Sequence, residues 1–226
     1  MDGSVFLDDI IDNYYCNIGI RHRSSLRPGQ IVWTYSLYNY ENLEFWRPHS
    51  FDETSTRATS FEICSSAQDL FNRQIPLISP RLEIDEEFIV IKAKKRPAIL
   101  ITLPPPEVQL SVIRGGGKVN LKLCLLAPLF SIENAEGKTK YNLEFVNRVR
   151  KLQYPHFFFI PEYAETNIRN SLCRFDRIFS TFRTHLEPKD LCLTGEASDI
   201  FFSQLQSYLT GTIEGSYQVA YETLNQ

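Results

Sequence analysis

The chain has 226 residues, 43% hydrophobic, 23% charged and 13% aromatic, with 10 glycines and 12 prolines. That composition supports a real core and excludes a disordered, collagen-like, coiled-coil or low-complexity protein. The net charge of −3 conceals an asymmetry, because Lys92 to Lys189 holds 17 Lys/Arg against 8 Asp/Glu while the rest holds 7 against 19. A basic middle between acidic ends fits a polyanion-binding region, and it also fits surface charge that merely segregates.

In chain order, residues 4–20 place Phe6, Ile10, Ile11, Tyr14 and Tyr15 near one helical face, with Gly19 as a stop. The stretch RHRSSLRPGQ reads as a linker, and residues 31–38, IVWTYSLY, as a strand after the Pro28-Gly29 turn signal. Residues 39–87 are less regular: FDETSTRATSFE reads as loop and SSAQDLFNRQI as a short helix started by Ser65 or Ser66. EEFIVI, KRPAILITL and NLKLCLLAPLF are strands, apolar enough to be buried on both faces, punctuated by Pro104–Pro106 and Gly115–Gly117. HFFFIPEY and NSLCRFDRIFS complete the strands. Ser198 then caps a helix whose apolar face is Ile200, Phe201, Leu205, Tyr208 and Leu209. Strands without regular β-α alternation, closed by a helix, predict a mainly β (α+β) small barrel with helical additions.

Several chemistries are excluded. Gly115–Gly117 has neither P-loop nor dinucleotide spacing, and Ser131 and Ser180 lie in no hydrolase elbow. The histidines at 22, 49, 156 and 185 lack spaced ligand partners, so neither metal nor cofactor is expected. The five cysteines, at 16, 64, 124, 173 and 192, include no CxxC pair and read as reduced thiols. The start, MDGSVFLDDIID, is acidic where a signal peptide is basic, and no apolar run approaches the roughly 18 residues of a membrane span. A soluble, cytoplasmic protein is expected.

What remains is the basic middle. Lys92, Lys94, Lys95 and Arg96 fall at the start of one strand and Arg174-Phe175-Asp176-Arg177 inside another. In extended chain Arg174 and Asp176 share a face. Such a pair can bind a phosphate and move a proton, as RNA backbone cleavage requires, or can be a structural ion pair.

The order of segments resembles the MazF/PemK (Kid) family of toxin endoribonucleases. Gly29-Gln30-Ile31-Val32-Trp33 matches the family's opening strand, and Arg96-Pro97 leading to Thr102 matches its next motif. Pro128-Leu129-Phe130-Ser131 matches a following strand, and Arg174-Phe175-Asp176 matches the Arg-x-Asp of PemK-type members. The resemblance covers roughly 29–34 and 93–210. It implies an SH3-like barrel over 28–226 with a C-terminal helix, from which the chain departs by an insertion at about 35–91 and an acidic helical extension at 1–27. It further implies metal-independent cleavage of single-stranded RNA, with Asp176 as general base or acid. Arg174 and Arg96 would stabilise phosphoryl charge, Ser131 would be the nearby hydroxyl, and Lys94, Lys95 and Arg177 would hold the RNA. An antitoxin protein and a homodimer, paired in part through Phe201, Leu205 and Tyr208, are the implied partners. The insertion, and Phe130 where the family has Thr, leave a second reading: an inactive barrel that binds nucleic acid or protein.

Overall fold

The computed structural model describes residues 5–19, 25–38, 44–51, 58–65, 88–103 and 123–226. Their elements are α1 (Leu7–Ile10), β1 (Tyr15–Cys16), β2 (Gln30–Leu37), β3 (Glu44–Phe51), β4 (Ala58–Ser65), β5 (Ile89–Val90), β6 (Ala93–Thr102) and β7 (Leu123–Ser131). They continue with α2 (Leu143–Arg150), β8 (Phe157–Ile160), β9 (Ser171–Arg174), β10 (Phe179–Phe182), β11 (Glu187–Leu193), α3 (Gly195–Thr210) and α4 (Gly215–Leu224). Two compact units result, Met1–Thr34 with Lys95–Gln226, and Tyr35–Lys94. In the second, β3 pairs antiparallel with β4 and with β5, and Phe45 is buried. Among the described residues no helix is long and apolar enough to cross a membrane.

The first unit is built on an eight-stranded sheet, ordered β1-β11-β2-β6-β7-β9-β8, with β10 pairing β7 off this path. The sheet is mostly antiparallel and strongly curled into a half-barrel, an α+β architecture consistent with a small barrel. Alternation along each strand splits its side chains between two faces. Ile31, Ile99, Ile101, Ala127 and Leu129 join Phe158, Ile160, Phe201, Leu205 and Tyr217 in the main core. Val32, Ala98, Leu100 and Leu126 enter a second cluster, and Phe159 and Leu172 enter a third under Val146 and Val149 of α2. Burial on both faces is why these strands read as continuous apolar runs.

The N-terminal segment closes this sheet. By backbone, β1 pairs with β11 at one edge. By side chain it reaches the other edge: the Tyr14 hydroxyl donates to the Phe159 carbonyl at 2.8 Å and the Tyr15 hydroxyl to the Pro161 carbonyl at 2.6 Å. The Gln204 amide donates to the Phe157 carbonyl at 2.9 Å. Carbonyls of alternate residues point to one side of a strand, so these donors blunt the free edge of β8. Leu7, Ile11 and Tyr14 are buried, and Arg150 grips the Asp8 carboxylate with two bonds of 2.8 and 2.7 Å.

Several expectations are corrected. The helix expected over 4–20 is the single turn α1, because the chain must extend by Tyr15 to join β11, and Gly19 (φ +68°) ends no helix. In FDETSTRATSFE, Phe51 ends β3 and Ala58 opens β4, which pairs with β3, while residues 52–57 lie outside the described residues. Ser65 ends β4, and the remainder of the helix expected there lies outside the described residues, as do Pro104–Pro106 and Gly115–Gly117. Thr194, not Ser198, caps α3, accepting from the Ala197 N–H at 3.5 Å, so α3 begins at Gly195. Leu209 is exposed on α3, whereas Phe201 and Leu205 lie in the chain's own core rather than facing a second copy. Helices α2 and α4 and strand β11 were not anticipated.

Candidate nucleic-acid interface

Register builds the site. Ala98 of β6 opposes Pro128 of β7, and two residues further this antiparallel ladder sets Arg96 against Phe130. On the neighbouring strands Phe130 opposes Leu172 and Phe157 opposes Arg174. By alternation Arg96, Phe130, Arg174 and Phe157 share the sheet face that carries Leu100 and Leu126 on one side and Leu172 and Phe159 on the other. The Arg96 guanidinium lies 4.4 Å from the Phe130 ring centre, and that of Arg174 lies 5.3 Å from Phe130 and 5.5 Å from Phe157. A guanidinium over an aromatic face gains cation–π attraction. It also keeps a planar fork that matches a carboxylate or phosphate.

Asp176 completes the group, but not as a strand residue. β9 stops at Arg174, and Phe175–Arg177 form a 3-10 turn held by the Phe175 N–H to the His156 carbonyl at 2.9 Å. The turn buries Phe175 against Phe201 and brings the Asp176 carboxylate back to Arg174. The Arg174 fork donates through Nε at 3.0 Å and a terminal nitrogen at 2.5 Å, and Arg177 Nε stands 3.6 Å from the same carboxylate. Partial burial pushes the Asp176 carboxyl up, but the Arg174 hydrogen bonds and the Arg174 and Arg177 charges outweigh it and hold it below its ordinary value. Among the described residues, three guanidiniums, of Arg96, Arg174 and Arg177, gather here with the Asp176 carboxylate.

The other expected residues are placed elsewhere. Lys95 pairs with Glu187 at 2.5 Å, and Lys189 pairs with the same carboxylate at 2.7 Å. Hydrogen bonds from Lys189 and then Lys95 bring the Glu187 carboxyl to about 2. Lys94 is exposed on the second unit. The Ser131 hydroxyl donates to the Glu133 carbonyl and accepts from Lys140 Nζ at 3.3 Å, on the strand face opposite to Phe130. The site thus gathers Arg96, Arg174, Asp176 and Arg177 and leaves Ser131 in a separate hydrogen-bond set. Phe130 and Phe157 were missed as site residues. Their only sequence signal was apolarity, and strand register alone sets them against arginines.

Comparison with protein-family models, with curated proteins and with solved structures finds no match. The functional reading therefore rests on the chemistry of this face.

Proposed function

We propose that the Arg96–Phe130–Arg174–Arg177 face binds the phosphate backbone of single-stranded RNA, on a barrel of the MazF/PemK type. The observation that carries the reading is the convergence of Arg96 and Arg174 on one phenyl ring beside Arg177. Guanidinium forks recognise phosphate oxygens, and aromatic side chains meet unstacked bases. Asp176 then acts as an internal counter-ion that orients Arg174 until a phosphate competes for the fork.

Metal-independent cleavage, as in a toxin endoribonuclease with an antitoxin partner, is the second reading, favoured by an ionised carboxylate between two guanidiniums. It asks more of Asp176. A carboxyl held below its ordinary value is a weak base, and proton transfer is most efficient when the pKa lies near the working pH.

The test is fluorescence anisotropy with a labelled single-stranded RNA of about 20 nucleotides, across a salt series, with EDTA present and products run on a gel. Arg174→Ala and Arg96→Ala should each weaken binding about tenfold and reduce the salt slope by about 0.7. Asp176→Asn should tighten binding a few-fold by removing a charge that repels phosphate. RNA ends appearing with the parent protein and lost by 10²-fold or more in Asp176→Asn would establish the cleavage reading instead. Unchanged affinity in both arginine variants would reject this face as the binding site.

A further inference from the structure

Strands β1 and β11 place Cys16 directly opposite Cys192. Opposed residues of an antiparallel ladder share a face, with Cα atoms about 4.5–5.5 Å apart. A disulfide spans Cα separations of roughly 4.4–6.8 Å, so the backbone already has the spacing that this bond needs. Both thiols are free, Cys16 half-buried and Cys192 only 4% exposed. Cys16 Sγ lies 3.8 Å from the Leu193 carbonyl oxygen and Cys192 Sγ 3.7 Å from that of Pro28.

The surroundings leave room for chemistry at this pair. Gly29 takes φ +82°, and a Cβ there would lie 3.3 Å from Cys192 Sγ and 3.2 Å from Ser198 Oγ, so a larger residue would crowd the thiol. Burial pushes the Cys192 thiol up, while the Arg27 guanidinium beside it pulls back toward the thiolate. The other two described thiols differ. Cys124 and Cys173 are fully buried on strands of the sheet, away from any opposed cysteine.

We propose that Cys16 and Cys192 are a redox couple, which closes to a cross-strand disulfide when the protein meets a hydroperoxide and reopens with a thiol reductant. The accessible Cys16 thiolate attacks a peroxide oxygen, breaking the O–O bond and giving a sulfenic acid and hydroxide. The Cys192 thiolate then attacks the Cys16 sulfur, forming the S–S bond and expelling a second hydroxide. The two thiol protons convert both hydroxides to water, so two thiols and one hydrogen peroxide give one disulfide and two waters. The bond ties β1, from which Tyr14 and Tyr15 reach β8, covalently to β11. Closing so long a loop restricts the unfolded chain, so oxidation makes the closure of the sheet by the N-terminal segment harder to undo.

The experiment treats the full chain with hydrogen peroxide, blocks residual thiols, and maps non-reduced peptides by mass spectrometry alongside melting curves. The expected product joins the Cys16 and Cys192 peptides and leaves three of the five cysteines alkylatable. Its melting temperature rises by several degrees, and dithiothreitol reverses both changes. Cys192→Ser should stop at a Cys16 sulfenic acid that dimedone traps, and Cys16→Ser should show neither the bond nor the shift. Cys16 oxidised further while Cys192 stays alkylatable, linkage to another cysteine, or an oxidised protein that melts no higher than the reduced one would each overturn the proposal.

Discussion

Among the described residues two arginine–aspartate forks are stacked on phenyl rings, and they differ in what they join. Arg150 grips Asp8 through two bonds while lying 4.0 Å from the Phe6 ring centre and 5.4 Å from that of Phe159. Arg174 grips Asp176 in the same way, over Phe130 and Phe157. Their side-chain exposures are alike, 24% and 22% in the first pair, 24% and 29% in the second. The first fork spans 142 residues of sequence and fastens the N-terminal segment to α2. The second spans two residues within one turn. A long-range fork holds elements that would otherwise separate, whereas a local fork restrains little chain and can exchange its carboxylate for another anion. Two further guanidiniums, of Arg96 and Arg177, gather at the second, against the Lys151 ammonium 6.0 Å from the Phe6 ring centre at the first, which makes the second the binding candidate.

The largest test of this contrast removes residues 1–16. The deletion takes Leu7, Ile11 and Tyr14 from the core and removes the tyrosine donors to the carbonyls of Phe159 in β8 and of Pro161 just after it. Buried side chains of this size contribute about 1.5–3 kcal/mol each, against a total stability of about 5–15 kcal/mol. The truncated chain should therefore lose its cooperative thermal transition. A truncated protein that melts like the parent would show instead that the acidic N-terminal segment is detachable.

Single substitutions sharpen the comparison. Asp8→Asn should lower stability by about 2 kcal/mol, the scale of a hydrogen-bonded ion pair, or roughly 4–8 °C in a domain of this size. Asp176→Asn should lower it by less than about 1 kcal/mol, because its fork joins residues only two apart and fastens no second element. Equal losses in chemical denaturation would erase the distinction between the forks.

The smallest effect is at Glu187. Its folded pKa, about 2, lies below the ordinary 4.5, so its contribution is fully present above the unfolded value and fades as pH falls toward 2. The group is nearly half exposed, which keeps the contribution under about 1 kcal/mol. The melting difference between parent and Glu187→Gln should be constant above about pH 5.5 and shrink between pH 4.5 and 2. A difference that grows with acid would contradict the assignment.

Much of the sheet was legible in the sequence, because strands buried on both faces must be apolar at consecutive positions, as in Ala98-Ile99-Leu100-Ile101. The Arg174-x-Asp176 spacing correctly announced a pair, although alternation in a strand was the wrong cause: a 3-10 turn returns Asp176 to Arg174. The N-terminal segment was misread because Phe6, Ile10, Ile11, Tyr14 and Tyr15 have helical spacing, and their burial comes instead from distant partners. Helix α2 hid behind a short apolar stripe, with only Val146 and Val149 buried.

By itself, then, the sequence determined where apolar runs must be buried, where charge accumulates and which arginine has a carboxylate two residues away, since these depend only on neighbours along the chain. Tertiary structure alone decided that Phe130 would carry Arg96 and Arg174, that Ser131 would bond with Lys140, that Tyr14 and Tyr15 would close the β8 edge, and that Cys16 would oppose Cys192. Each of these depends on strand register between residues far apart in sequence, and a shift of one residue would turn every such side chain to the opposite face.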